Sequence, residues 1–169
     1  EDRQRRGLVL DYSMEDNLVL EIYGLPPYSR RGFLDRKAIR AHADKLMGDF
    51  DVRAGEGSLA AARSLSGGNQ QKAIVGREID HDPDLLVAVQ PTRGLDVGSI
   101  EYIHKRLVEQ RDRGKAVLLV SLELDEIMDL SDRIAVISHG SIAGVLDPKS
   151  VTESEIGLMM AGSRKGEAQ

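Results

Sequence analysis

The sequence of 169 residues contains no cysteine and no tryptophan, and only 4% of it is aromatic. Without cysteine the chain can form neither a disulfide framework nor a thiolate metal site. No apolar run reaches the length of a membrane span, and no signal-peptide pattern is present. The formal net charge is −5. Because proteins that bind nucleic acid need a positive surface, we expect no nucleic-acid partner.

Hydrophobic residues make up 41% of the chain and charged residues 30%, which is the composition of an ordinary globular protein. The length suits one domain with a core of its own and a lobe attached to it. The chain begins at Glu1 rather than at a methionine, within a charged turn. We therefore expect it to be a piece of a larger protein.

The most informative stretch is residues 65–72, Leu-Ser-Gly-Gly-Asn-Gln-Gln-Lys. Ser66 can cap a helix, and Gly67 and Gly68 leave the backbone amides of its first turn uncovered. A helix over residues 69–78 would direct these amides and the positive end of its dipole to one place, which suits a phosphate. The same residues, read alone, also describe a Gly-Gly turn before an ordinary amphipathic helix.

The whole octapeptide resembles the signature loop of ABC-type ATPases, in the form carried by the second nucleotide-binding half of sugar and nucleoside importers. In that family the loop closes over the γ-phosphate of ATP that is held by the opposing half of a head-to-tail pair. The resemblance therefore implies that ATP is contacted in trans by Ser66, Gly67, Gly68, Asn69 and Gln70.

The resemblance also divides the chain into segments. Residues 1–10 correspond to the Q-loop segment, where Glu1 stands in place of the usual glutamine. Residues 11–75 correspond to the all-helical signature lobe, residues 76–162 to part of the P-loop ATPase core, and residues 163–169 to a polar tail. The fold class implied is α/β, with a partial core built from a parallel sheet and helices, plus the helical lobe.

Local patterns in the first half predict mostly helix. Apolar residues fall at helical spacing over residues 14–22 and 34–50. Residues 51–63 have no periodicity and contain glycine, so we expect an exposed loop there. In the family this loop would face the transmembrane subunit.

Beyond Pro83 the pattern changes to short apolar runs. The runs at 85–89 and 116–120 show no alternation, so we expect strands that are covered on both faces. Their order with the neighbouring helices is typical of a parallel α/β sheet. The remaining predicted elements are strands at 133–137 and 142–146 and helices at 99–113, at 123–130 and after Thr152.

Ligands of open α/β sheets bind beyond the carboxyl ends of the strands. Active ATPases that resemble this chain place an aspartate for Mg²⁺ and a glutamate for the attacking water there, but the matching residues are Val89 and Gln90. Leu122 stands where most active members have a histidine that contacts the γ-phosphate. The Gly-x-x-x-x-Gly-Lys-Ser/Thr phosphate loop is absent from the chain. We therefore predict that Gln90 is inactive, and that this half-site is degenerate and holds no metal.

Asp96 is the last candidate site residue. The run Gln90 to Gly98, which contains it, matches the family closely, and the resemblance implies a D-loop aspartate at the interface between the two halves. Its position before Val97-Gly98-Ser99 also suits a helix N-cap. Both roles can hold at once.

The resemblance implies the cofactors and partners of the whole assembly. These are ATP and Mg²⁺, the other ATP-binding half of the same parent chain, transmembrane permease subunits and, indirectly, a solute-binding protein. The resemblance places this ATP-binding chain at the cytoplasmic face of the membrane, as a peripheral and itself soluble piece. The fragment alone is expected to bind no cofactor and to be inactive. Segments such as 50–53 and 103–106 look most like the nucleoside branch, with simple sugars as the second choice. The alternatives are a non-transport ABC ATPase and a structural half that contacts no nucleotide.

The family's topology creates one structural problem for this chain. The strand that precedes the phosphate loop would lie between the strands at 116–120 and 133–137. Without it, the sheet must close the gap or expose unpaired edges. We therefore predict either strand rearrangement or self-association by pairing between copies of the chain.

Overall fold

The computed structural model describes residues 7–162, and the chain divides between Leu118 and Leu119 into two units. Glu1 and the predicted tail at 163–169 lie outside the described residues. Within residues 7–162, no helix combines the length and the apolar character needed to cross a membrane. The two units are described in turn.

The first three helices of the first unit each begin at a capping side chain. Helix α1 (Met14–Leu18) is capped by Ser13, α2 (Arg36–Asp49) by Asp35 and α3 (Gly67–Asp80) by Ser66, each through a side-chain oxygen that accepts a backbone N–H. Helix α3 packs closely on the end of α2, since a Cβ atom at Gly76 would lie 2.9 Å from Cγ of Phe50. The apolar side chains that α1 and α2 bury together are Met14, Leu18, Ile39, Ala43, Leu46 and Met47.

Helix α1 is shorter than the predicted 14–22. After Leu18 the chain continues in tight turns, in which Leu20 N–H donates to Asn17 O and Ile22 N–H to Val19 O. Each of these N–H groups donates to the carbonyl three residues earlier, as in a 3₁₀ turn, and not to the carbonyl four residues earlier, as in an α-helix. A hairpin of β1 (Ser29–Arg30) and β2 (Phe33–Leu34) follows, which the sequence analysis missed.

The prediction of an exposed loop over residues 51–63 holds only in part, because seven of these thirteen residues are exposed and others are buried. Two short 3₁₀ turns, Gly57–Leu59 and Ala62–Ser64, occupy much of it, and Val52, Ser58 and Ala60 are buried among its residues. The reason is backbone pairing with the start of α1. Met14 N–H donates to Ala60 O at 2.9 Å, and Ala62 N–H donates to Tyr12 O at 2.9 Å.

A strand–helix–strand segment ends the first unit, and the division between the units falls within its last strand. Strands β3 (Leu85–Val89) and β4 (Ala116–Val120) pair, and α4 (Val97–Asp112) connects them. Ala116 N–H donates to Asp84 O at 2.9 Å, so the two strands start side by side, as in a parallel pair. The prediction that both faces are covered was wrong, because exposure alternates along β3: Leu86 is buried, whereas Val87 is 52% exposed.

The second unit is a hairpin with two helices. Helix α5 (Leu124–Leu130) precedes strands β5 (Ile134–Ser138) and β6 (Ser141–Leu146), and α6 (Glu153–Met160) follows them with a Thr152–Glu155 capping box. The buried core of this unit consists of Ile134, Val136, Val151, Ile156 and Met159.

The prediction of one parallel sheet is corrected at this hairpin. Strands β5 and β6 are antiparallel, because the two-residue turn His139-Gly140, with both φ angles positive, can join only antiparallel neighbours. The described strands form three two-stranded sheets. Strands β4 and β5 belong to different sheets, so the predicted gap between them is not closed by pairing. Self-association stays a prediction.

Candidate functional site

The predicted anion-binding residues lie together at the start of α3. Ser66 has an extended backbone, with φ −61° and ψ 157°, and its Oγ accepts the Asn69 N–H at 3.4 Å. Ser66 is exposed and Gly67 is half-buried, so the first turn of the helix faces outward. The N–H groups of a first turn have no carbonyl partner within their helix. Because the Asn69 and Gln70 N–H groups are bonded to Ser66, the tip offers an anion the N–H groups of Gly67 and Gly68 and the Ser66 hydroxyl.

Gly68 brings this tip against the start of α4. A Cβ atom there would lie well inside van der Waals contact with Ser99 Oγ, 3.2 Å from Ser99 Cβ and 3.3 Å from Asp96 Oδ2. Only glycine permits this approach. The structure thus brings Ser66, Gly67, Gly68 and Asp96, which are distant in sequence, to one place.

Asp96 caps α4. Its Oδ1 accepts the Ser99 N–H at 3.0 Å, and its Oδ2 accepts the Ser99 hydroxyl at 2.8 Å. These hydrogen bonds from Ser99 lower the pKa of the Asp96 carboxyl below its usual value. The helix-cap prediction is therefore confirmed by the geometry, while the interface role stays a prediction.

The lowered pKa of Asp96 predicts a pH-dependent contribution to stability. Because the pKa is lower in the folded state, the charged cap stabilises the fold above the unfolded pKa of about 4, and this contribution is lost as the pH falls through the folded pKa. In Asp96→Asn the acceptor remains but the charge does not. We expect thermal unfolding to show a stability difference from wild type that is largest near neutral pH and narrows in acid. A difference independent of pH would contradict this expectation.

Gln70 differs from the other predicted residues because its side chain is buried and turned inward. Its Nε2 donates to Ala62 O at 3.0 Å and to Leu65 O at 3.3 Å. These carbonyls belong to the loop that leads into the tip. In this structure the Gln70 side chain therefore supports the loop from within.

Helix α3 is also fixed to the segment that follows α2, which the sequence analysis missed. Asn69 Oδ1 accepts the Arg53 N–H at 2.9 Å, and Lys72 Nζ donates to Asp51 Oδ2 at 2.8 Å. Lys72 also lies over the Tyr102 ring, with Nζ 4.6 Å from its centroid. The partners are 16 and 21 residues apart, so local spacing carries no signal of these contacts.

The end of β3 carries the other predicted residues. Gln90 is half-buried and has a left-handed backbone with φ 51°. Neither Val89 nor Gln90 presents a carboxylate, so the strand end lacks the oxygen ligands that Mg²⁺ prefers. Leu122 belongs to the second unit and is 69% exposed. Glu1, the predicted Q-loop position, lies outside the described residues.

A second polar cluster lies at the far end of α3. Possible ligand atoms of Glu21, Glu78 and His81 all lie within 4.8 Å of one another. Arg77 already pairs with this group, since its Nη2 is 2.8 Å from Glu78 Oε1 and 3.9 Å from Glu21 Oε1. The guanidinium supplies the positive charge that a metal ion would otherwise bring.

Solved structures of ATP-binding cassettes share this fold. The dimeric structure of the bacterial ABC transporter cassette MJ0796 matches with a TM-score of 0.68 and 21% identity, over 88% of this chain and 62% of that chain. Its post-hydrolysis state bound to ADP and phosphate matches over the same shares, with a TM-score of 0.67. No protein-family model matches the chain. The described residues therefore have the fold of part of an ABC ATPase cassette, as predicted.

Curated import proteins are similar to this chain over nearly its whole length. The chain is 58% identical to the nucleoside import ATP-binding protein NupA of Lactococcus lactis subsp. cremoris over 99% of this chain. It is 56% identical to the guanosine import ATP-binding protein NupO of Bacillus subtilis over 99%, and 38% identical to the ribose import ATP-binding protein RbsA of Bacillus licheniformis over 97%. The chain spans about a third of the length of these relatives. Its relatives are thus nucleoside and ribose import ABC ATP-binding proteins, which confirms the resemblance.

Proposed function

We propose that this chain is part of the ATP-binding subunit of an ABC import system for nucleosides or simple sugars, and that its tip at Ser66–Gly68 contacts ATP held by the opposing half. One contrast carries the proposal. The tip offers outward-facing donors at the start of α3, whereas Val89 and Gln90 supply no carboxylate at the end of β3. The chain is therefore suited to close a nucleotide site rather than to hydrolyse ATP in its own.

The chemistry of the tip fits a phosphate. Backbone amides at a helix start and a serine hydroxyl are donors, and the helix dipole favours negative charge there. Such donors stabilise the charge that develops on a transferring phosphoryl group. Mg²⁺ does not fit this chain's own strand end, so we assign the metal ion and the activation of water to the opposing half. Gln90 can orient a water molecule, but it cannot accept its proton.

The remaining partners follow from the same proposal. Transmembrane permease subunits would contact the region that includes residues 51–58, beside an open groove of about 430 Å³. A solute-binding protein would act through the permease, and the ATP-binding subunit would lie at the cytoplasmic face of the membrane. The similarity to the nucleoside importer protein NupA and the guanosine importer protein NupO favours nucleosides over ribose-like sugars as the transported solute.

Substitution of Ser66 tests the proposal in the full-length protein assembled with its membrane partners. Ser66→Ala is expected to lower ATP turnover by about 10²-fold, the effect of removing one donor to a developing oxyanion, while ATP binding is retained. Ser66→Asp keeps the helix cap but places a negative charge at the phosphate site. It is expected to lower turnover without lowering the thermal unfolding midpoint. Turnover by the assembled protein and ATP binding would be measured in parallel.

Ser64→Ala is the matched control, because Ser64 is exposed and donates its hydroxyl to Ala61 O at the neighbouring turn. We expect it to keep wild-type turnover. If Ser66→Ala and Ser66→Asp also keep wild-type turnover, the tip does not contact the nucleotide. The chain would then be the structural half considered above, and a full-length protein that binds no ATP at all would point the same way.

A non-transport ABC ATPase is the second alternative, and the charge of the chain argues against it. A protein that acts on ribosomes or DNA needs a basic surface, whereas the formal net charge here is −5. ATP turnover that is stimulated by nucleic acid and indifferent to permease subunits would favour this alternative.

A further inference from the structure

The Asn69 carboxamide makes two hydrogen bonds of opposite direction. Its Oδ1 accepts the backbone N–H of Arg53 at 2.9 Å, and its Nδ2 donates to Ser66 Oγ at 3.0 Å. A backbone N–H can only donate, so the contact with Arg53 fixes which end of the amide is oxygen. The NH₂ group must then face Ser66.

This arrangement determines the direction of the Ser66 hydroxyl. Ser66 Oγ accepts two N–H groups, the Asn69 side chain at 3.0 Å and the Asn69 backbone at 3.4 Å. A hydroxyl has two acceptor positions and one proton. With both acceptor positions used by Asn69, the proton points away from the helix, on the exposed side of Ser66.

We propose that Asn69 is a positioning residue that holds the Ser66 hydroxyl as a donor toward the phosphate of the nucleotide. The inference rests on the proposed function, because it specifies how the same tip recognises its anion. A free serine rotor could offer either a lone pair or a proton. The Asn69 amide fixes the orientation of the Ser66 hydroxyl before the nucleotide binds. The hydroxyl therefore does not need to rotate in the transition state.

The segment that orients Asn69 is itself fixed to the same helix. Lys72 Nζ donates to Asp51 Oδ2 at 2.8 Å and to Asp51 O at 3.3 Å. Asp51 has a left-handed backbone with φ 47°, and it accepts a further bond from Arg53 Nε at 3.1 Å. The Arg53 N–H therefore approaches Asn69 from a segment with limited freedom, which keeps the amide in one orientation.

A double-mutant cycle in the full-length protein tests this role. Asn69→Ala and Ser66→Ala are made singly and together, and kcat and KM for ATP are measured with the thermal unfolding midpoint. We expect Asn69→Ala to lower kcat about tenfold, the free-energy equivalent of one hydrogen bond, with KM unchanged. In the Ser66→Ala background, Asn69→Ala is expected to lower kcat no further, because the two residues act as one unit. Gln71→Ala, a neighbouring amide outside this pair of bonds, is the control and should keep kcat.

The cycle separates the two hypotheses. If Ser66→Ala keeps wild-type turnover, the proposed function fails. If Ser66→Ala lowers turnover but Asn69→Ala lowers kcat equally in both backgrounds, Asn69 acts independently of Ser66 and only the positioning role is wrong. An Asn69→Ala variant with wild-type kcat would also overturn it.

Discussion

Full-length protein carrying Gly68→Ala is expected to lose ATP turnover by about 10³-fold, a larger loss than removal of the Ser66 hydroxyl alone. The added methyl group would overlap Ser99 Oγ and lie 3.2 Å from Ser99 Cβ and 3.3 Å from Asp96 Oδ2. Ser99 cannot swing aside freely, because it is 8% exposed and its hydroxyl donates to Asp96. The helix tip must therefore move, and every donor on it moves together.

A second substitution should restore part of the activity. Ser99→Gly removes both atoms nearest to the added methyl group, so Gly68→Ala/Ser99→Gly is expected to turn over ATP faster than Gly68→Ala alone. Ser99→Gly by itself loses the hydroxyl bond to Asp96 but keeps the backbone bond at 3.0 Å. ATP turnover of the four proteins in the cycle would be measured in the assembled importer.

Gly98→Ala is the matched control on the facing helix. A Cβ atom there would lie 3.5 Å from Asp96 Oδ1, which is an ordinary van der Waals contact. Alanine also has a higher helix propensity than glycine. We expect wild-type turnover and unchanged or slightly higher stability. A Gly68→Ala protein that hydrolyses ATP like Gly98→Ala would show that the close approach to Ser99 does not position the tip. A double variant no faster than the single one would contradict the steric explanation.

The signature tip could be predicted from sequence because its chemistry is local. Ser66 caps the helix that it precedes, and two glycines follow it directly. The contact of Gly68 with Ser99 could not be predicted in this way. It depends on how α3 packs against α4, and the spacing of apolar residues in one helix does not predict where the other helix lies.

The sheet shows a different limit of sequence reasoning. An unbroken apolar run such as 85–89 predicts burial on both faces. In β3, however, Leu86 is buried and Ala88 is half-buried, while the three residues on the other face are exposed. Whether a second layer covers a strand depends on elements outside the run itself. The expectation of a parallel sheet fails at β5 and β6, because the two-residue turn His139-Gly140 joins them. Turn geometry is the stronger constraint, since two residues cannot span a parallel crossover.

The polar part of the core was missed entirely, and Asn17 is its clearest member. Asn17 is 0% exposed. Its Oδ1 accepts the Val9 N–H at 2.7 Å, and its Nδ2 donates to Val9 O at 3.0 Å, Ser13 O at 3.0 Å and Tyr12 O at 3.3 Å. The sequence around an asparagine on a short helix does not predict that its side chain will form hydrogen bonds with backbone groups of the preceding turn. The same backbone is joined to α3, because buried Arg77 donates from Nη1 to Asn17 O at 3.4 Å.

We therefore expect Asn17→Leu to destabilise the protein by about 2–4 kcal/mol. The Val9 N–H loses its acceptor, at a cost of about 1–3 kcal/mol, and the bonds from Nδ2 are lost, although Val9 O, Tyr12 O and Ser13 O keep backbone donors. Leucine has a similar volume but can neither accept from Val9 N–H nor donate to the three carbonyls. Asn17→Asp restores only the acceptor and places a carboxylate against those carbonyls, so it should be at least as harmful near neutral pH. Urea unfolding with unchanged m-values would give the free energies of unfolding.

Asn69→Leu makes the same chemical change at a half-buried position and serves as the control. Water can reach the groups that Asn69 leaves, so its expected cost in stability is about 1 kcal/mol, even though turnover falls. The two substitutions should therefore have different effects. Asn17→Leu should mainly lower the free energy of unfolding, and Asn69→Leu should mainly lower ATP turnover. Equal free energies of unfolding for Asn17→Leu and Asn69→Leu would mean that the buried carboxamide is not what holds the turn before α1.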